Sequence, residues 1–310
     1  MRFSLRVGLL CVLCLTLWPF ETAISYSSNQ ESQLRFLTAL VTGPNKEPLT
    51  NLTQTDFQLL EDGQPLPIAS FQRAATVHYG VALDQTGSMR EALTPGLQIA
   101  RALVKAHQPG DQAFLARLFN TEVLLPVAWT ADHTLLLNGL NSLNEAKGSI
   151  PLLDALSACS AYAAQRPARA PNTQPQSVLF IVTDGIDREA MPFKLRDLKK
   201  SLQANAVQVF PIGILKKDEG ASVFFGKSTQ LQARELLNEI AEASGGRPLY
   251  VDEKMDPALV GQLAARYVHS QIVIGYQPSA TTSKKARKMQ LKLMTKPNLP
   301  QAQLTYWPPS

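Results

Sequence analysis

Asp84, Thr86 and Ser88 occupy alternate positions in the segment Asp84-Gln85-Thr86-Gly87-Ser88, directly after the apolar run Val77-His78-Tyr79-Gly80-Val81-Ala82-Leu83. A carboxylate and two hydroxyls are hard oxygen donors, the type that Mg2+ and Mn2+ take in octahedral array with water filling the positions left open. Gly87 permits the tight turn that lets the three side chains converge. The preceding run has the length and β-branched content of a strand buried on both faces of a parallel sheet. Open α/β sheets place their ligands at the carboxyl ends of such strands. The segment is a cation site in outline.

A second apolar run, Ser177-Val178-Leu179-Phe180-Ile181-Val182-Thr183, ends in Asp184-Gly185 about one hundred residues downstream. Together the two stretches resemble the metal-ion-dependent adhesion site of von Willebrand factor type A domains, whose DxSxS motif has Ser where this chain has Thr86. The resemblance implies that Thr86 and Ser88 bind Mg2+ or Mn2+ directly, and that Asp84 and Asp184 bind it directly or through water. It leaves a sixth position for an exposed Asp or Glu of a protein partner. The family's remaining ligand is a Thr four residues before an Asp, in a loop like GGTxLYD. Here Gly148-Ser149-Ile150-Pro151-Leu152-Leu153-Asp154 puts Ile150 in that place, and Ile has no oxygen to offer. Two arrangements are compatible with this loop. Either a shift of one residue lets Ser149 complete the set Asp84, Thr86, Ser88, Ser149 and Asp184, or the set lacks one ligand. Asp187, just beyond, reads as a turn residue. Leu59-Leu60-Glu61-Asp62-Gly63-Gln64-Pro65 and Ile274-Gly275-Tyr276-Gln277-Pro278 extend the likeness to exported von Willebrand factor A-related proteins first grouped from acidobacteria.

Other chemistries lack their residues. A phosphoaspartyl hydrolase of the haloacid type needs a second Asp two positions after the first, where Thr86 stands. No G-x-x-x-x-G-K-[ST] loop and no G-x-S-x-G elbow is present, and the histidines at 78, 107, 133 and 269 have no metal-ligand spacing. His78, inside an apolar strand, reads as a core residue. The expectation is a non-enzymatic adhesion module that engages an acidic partner residue through a metal. The alternative is a metal-independent structural or assembly scaffold with a degenerate site.

The rest of the chain must position and deliver this site. With 310 residues and 45% apolar content the chain can bury a sizeable core. Arg2 and Arg6 precede the apolar stretch 7–18, which is too short to span a bilayer and suits a signal peptide covering 1–25, cleaved after Ala23-Ile24-Ser25. That reading makes the protein secreted or periplasmic, without a transmembrane span after cleavage. Removal of the segment leaves Cys159 unable to form an intrachain disulfide, and its apolar helical face suggests an inert thiol. A net charge of +5, with Lys284-Lys285-Ala286-Arg287-Lys288 as the one dense basic run and no aromatics among it, argues against nucleic acid as a partner.

Alternating strands and helices over 75–268 predict a doubly wound, mostly parallel α/β sheet, a Rossmann-like von Willebrand factor type A domain. Strands are expected at 77–83, 114–119, 123–127, 177–183 and 207–215, with the second and third forming a hairpin through Asn120-Thr121-Glu122. Pro211 within the last of these predicts an edge or interrupted position. Helices are expected at 93–104, 132–140, 152–165, 195–202, 231–243 and 256–267. Residues 26–74 and 269–310 read as β segments too small to bury their own faces, so together they are expected to form one small β subdomain. Runs 271–276 and 289–294 alternate like the two strands of a hairpin around the basic loop.

Overall fold

The computed structural model describes residues 34–168, 177–186, 194–215, 228–251, 254–279, 287–294 and 301–307. The expected signal peptide, Asp187 and most of the basic run lie outside them.

In chain order, β1 (Arg35–Thr42), β2 (Phe57–Glu61), β3 (Gln64–Leu66) and β4 (Ile68–Arg73) come first. Asp62 and Gly63, with φ of 50° and 84°, make the tight turn between β2 and β3, the two-residue geometry that matches strand twist. Then follow β5 (His78–Asp84), α1 (Leu93–Lys105), β6 (Gln112–Phe119), β7 (Glu122–Thr130), α2 (His133–Asn141), α3 (Leu152–Ala163) and β8 (Ser177–Thr183). The body continues with α4 (Leu195–Ala204), β9 (Val207–Gly213), α5 (Thr229–Ser244), β10 (Leu249–Tyr250) and α6 (Pro257–His269). β11 (Ile272–Tyr276), β12 (Met289–Leu293) and β13 (Gln303–Trp307) end the described chain.

β5 lies inside a six-stranded sheet of order β10-β9-β8-β5-β6-β7, in which β7 alone runs antiparallel to its neighbour. All seven residues of β5 and of β8 are buried, as strands covered on both faces must be. Alternation sorts their side chains into two cores. Tyr79, Val81, Leu83, Val178, Phe180 and Val182 join residues of α1, α2 and α6, whereas Ala82, Leu179 and Ile181 join residues of α3, α4 and α5. The doubly wound α/β expectation is met. Gly80 is a packing requirement of this arrangement, because a Cβ there would stand 2.2 Å from the ring of Phe114 on β6.

Local chemistry sets the element ends. The Asp132 carboxylate accepts the N–H groups of Thr134 and Leu135 at 2.8 and 3.1 Å, Asp256 accepts that of Ala258 at 2.9 Å, and Gly245 closes α5 in the left-handed region at φ 65°. Pro211 sits one strand in from the edge. On β9 the Val209 N–H turns outward to Ser244 Oγ at 2.9 Å, and the Gly213 carbonyl turns outward to the Val251 N–H. Pro211, between them, points its nitrogen the same way, where the two-residue β10 asks for no donor. Cys159 is buried in the second core, which pushes its thiol up to about 12.

The N- and C-terminal segments share two small antiparallel sheets, β13-β1-β11-β4 and β12-β2-β3. Leu37, Ala39, Val41, Phe57, Leu59, Ile272, Ile274 and Leu291 fill a third core between them, while Leu40, on the other face of β1, joins the core of the α/β body. β11 and β12 do not form the expected hairpin. β11 is central in its sheet, with one edge taken by β1 and the other by β4, so β12 pairs instead with β2. Two short strands, β3 and β10, and the last strand, β13, are additional to the sequence reading.

Candidate functional site

Asp84 ends β5 and is 4% exposed. Its Oδ1 accepts the Thr86 N–H at 2.9 Å and the Thr86 hydroxyl at 2.8 Å, and this Asx-type turn bends the chain away from the sheet. Gly87–Arg90 forms one 3-10 turn, pinned by the fully buried Met89. The turn brings Ser88 Oγ to 3.1 Å from Thr86 Oγ1. Thr86 is buried and Ser88 half-buried, so the oxygen cluster opens at the Ser88 side.

Asp184 stands at the end of β8, the parallel neighbour of β5. Its Oδ1 accepts the Ile186 N–H at 3.0 Å, and Gly185, at φ 69°, turns the chain there. The link to Asp84 runs through Thr183, whose hydroxyl donates to Asp84 Oδ2 at 2.6 Å and accepts the Gly185 N–H at 3.0 Å. Sequence reading treats Thr183 as a strand residue. Its role follows from register, since Leu83 pairs with Val182 and places Thr183 level with Asp84.

The loop before α3 is stitched to the same place through its backbone. Gly87 N–H donates to the Gly148 carbonyl at 2.8 Å, Lys147 N–H to the Gln85 carbonyl at 2.8 Å, Asn120 N–H to the Lys147 carbonyl at 2.8 Å, and Gln85 N–H to the Leu118 carbonyl at 2.8 Å. Gly148 has φ 73°, and a Cβ on it would meet Asn120 Cα at 2.3 Å. Ser149 is therefore carried to the rim of the site by its neighbour, but its hydroxyl joins no hydrogen bond of the Asp84 cluster. Ile150 is half-buried and packs on the core formed by Ala82, Leu118 and Leu152.

Burial pushes Asp84 up to about 6, and the negative charge of Asp184 acts in the same direction, against the hydrogen bonds from Thr183 and Thr86. Two carboxylates that disfavour each other in a buried place are a position where a cation is electrostatically favoured. The hydroxyls fit such an ion. Cis ligands of an octahedral Mg2+ at about 2.05 Å stand about 2.9 Å apart, close to the separation of Thr86 Oγ1 and Ser88 Oγ. Because the Thr86 hydroxyl gives its proton to Asp84, the Ser88 hydroxyl is the donor in the contact between the two, and Thr86 Oγ1 accepts there.

The other titratable side chains noted in the sequence are elsewhere. His78 is buried with its ring 5.9 Å from that of Trp129, while His107 and His269 lie at the opposite end of the sheet. Among the described residues no helix is long and apolar enough to cross a membrane.

No family model matches the chain, and no curated protein matches it in sequence. Solved structures with a similar course of the chain include an aerotolerance-related membrane protein from Bacteroides fragilis, at 16% identity and TM-score 0.44 over 62% of this chain and 98% of that one. The SpRpn10 VWA domain has 10% identity and TM-score 0.43 over 59% and 93%, and a von Willebrand factor type A protein from Catenulispora acidiphila has 15% and 0.48 over 78% and 50%. At these values the similarities carry no activity, ligand or partner to this chain.

Proposed function

We propose that the protein is an extracytoplasmic binding module that holds Mg2+ or Mn2+ on Asp84, Thr86, Ser88, Ser149 and Asp184 and uses it to engage an exposed Asp or Glu of a partner protein. The observation that carries this reading is the pairing of two buried carboxylates on adjacent strand ends with two hydroxyls 3.1 Å apart at the open side. All the donors are hard oxygens, which suits these ions and leaves room for waters or an incoming carboxylate. Ser149 is favoured over Ile150 because the Ile150 side chain is engaged with the core and Gly148 is bonded to Gly87. Absence of catalysis belongs to the same proposal: among the described residues, the cluster has beside it no side chain suited to act as nucleophile or general base towards a substrate. Export rests on the segment 1–25.

The test is capture of a partner from the source's envelope fraction by the immobilised protein. Binding should be present in Mg2+, absent in EDTA, restored by Mn2+ and missing with Asp84→Ala. Equal capture in chelator would support the metal-independent scaffold instead.

A further inference from the structure

Gln85 stands between Asp84 and Thr86 and, although polar, has no exposed surface. Its Nε2 donates to the Glu145 carbonyl at 2.9 Å; a carbonyl only accepts, so the amide must face it with its NH2 end. Oε1 is then buried with no hydrogen-bond partner among the described residues. A buried acceptor without a partner costs stability, so packing alone does not account for a Gln here. What its NH2 end holds is the loop that carries Ser149.

That loop is fastened in two ways. The Lys147 N–H donates to the Gln85 carbonyl, the Asn120 N–H to the Lys147 carbonyl and the Gly87 N–H to the Gly148 carbonyl. These backbone bonds ask for no particular side chain. Two anchors do depend on residue type. At 148 the chain approaches Asn120 too closely for a Cβ, which requires glycine. At 145 the anchor is the Gln85 side chain, which makes the one side-chain hydrogen bond to residues 144–149 among the described residues. Glu145 and Gly148 lie just before Ser149, so holding both fixes the course of the segment that delivers the Ser149 hydroxyl.

We propose that Gln85 is a positioning residue of the metal site, acting through Glu145 to present Ser149 to the ion. The inference rests on Ser149 as a ligand and so on the binding function proposed above. It gives the one-residue shift of this loop a cause within the chain. With the loop held at 145 and 148, residue 149 stands at the rim, and Ile150 is taken into the core beside Ala82, Leu118 and Leu152.

The test is Gln85→Met in the full chain, which keeps the length of the side chain and removes the donor, alongside Ser149→Ala and the double variant. In calorimetric titration, Gln85→Met should weaken Mn2+ binding as Ser149→Ala does, by about tenfold, and should add less than about twofold once Ser149 is Ala. Amide exchange of the 15N-labelled proteins in chelator gives a readout without metal. Exchange at Lys147 and Asn120 should rise by about tenfold or more in Gln85→Met, while the Thr86 N–H, bonded to Asp84, keeps its protection and reports an intact fold at the site. Gln85→Asn, one methylene too short for Glu145, should give the same pattern if the Met variant folds poorly. A loss of affinity as large in the Ser149→Ala background would mean that residue 85 acts on Asp84 or Thr86 instead, and would overturn the inference. Wild-type Mn2+ binding or wild-type loop exchange in Gln85→Met would overturn it too. If the wild type itself binds no Mn2+, the functional reading fails, and the exchange contrast alone decides whether Gln85 holds the loop.

Discussion

Ser149 and Ile150 are neighbours in one loop, yet only the second is engaged with the core. If Ser149 supplies the fifth oxygen, Ser149→Ala should weaken Mn2+ binding by about tenfold or more, as Ser88→Ala should, because each removes one contact to a charged group. Ile150→Thr should change little. A titration of Ser149→Ala indistinguishable from wild type would remove Ser149 from the ligand set. Asp84 makes a separate prediction without metal. Its folded value of about 6 lies above the ordinary 3.8, so the folded state binds more protons than the unfolded one between these limits. Stability from this group therefore falls as pH rises through that window and stays lower above it. In chelator, Asp84→Asn should be more favourable to stability at about pH 7 than at about pH 4, by about 1–3 kcal/mol. Urea unfolding at the two pH values measures this, and an effect independent of pH would contradict it.

β5 and β8 place the two carboxylates, and their position depends on close packing between strands. Gly80 leaves room for the Phe114 ring, so Gly80→Ala should destabilise by about 1–3 kcal/mol through overpacking. Combined with Phe114→Leu it should cost less than the sum of the two changes, since both act on the same space; additive losses in urea unfolding would count against the contact. These strands were legible in the sequence because both are continuous apolar runs ending in an acid. The helices were legible from their apolar spacing and, for α6, from Asp256 as its cap, whereas the capping role of Asp132 is seen only in the structure. Thr183 was not, because its hydroxyl meets Asp84 through strand register, which one sequence does not display. The pairing of β11 and β12 was misread for a similar reason. Alternation identifies a strand but does not say which edge of which sheet it completes, and β11 has both edges occupied by strands from the N-terminal segment.

At the scale of the molecule, the α/β body is inserted in a small β subdomain whose two sheets each combine strands from both ends of the chain. That arrangement was legible from the uncovered apolar faces of the two terminal segments, whereas β13 was missed although Gln303-Leu304-Thr305-Tyr306 alternates polar and apolar residues as a strand does. Asp84 and Asp184 lie at the carboxyl ends of the adjacent central strands β5 and β8. The account as a whole depends on the oxygen cluster holding a divalent ion. Isothermal titration of Mn2+ into the chelator-treated full chain and into Asp84→Ala tests that dependence directly. The account predicts saturable binding to the wild type, competed by Mg2+, and none to the variant; equal heats from both proteins would contradict it.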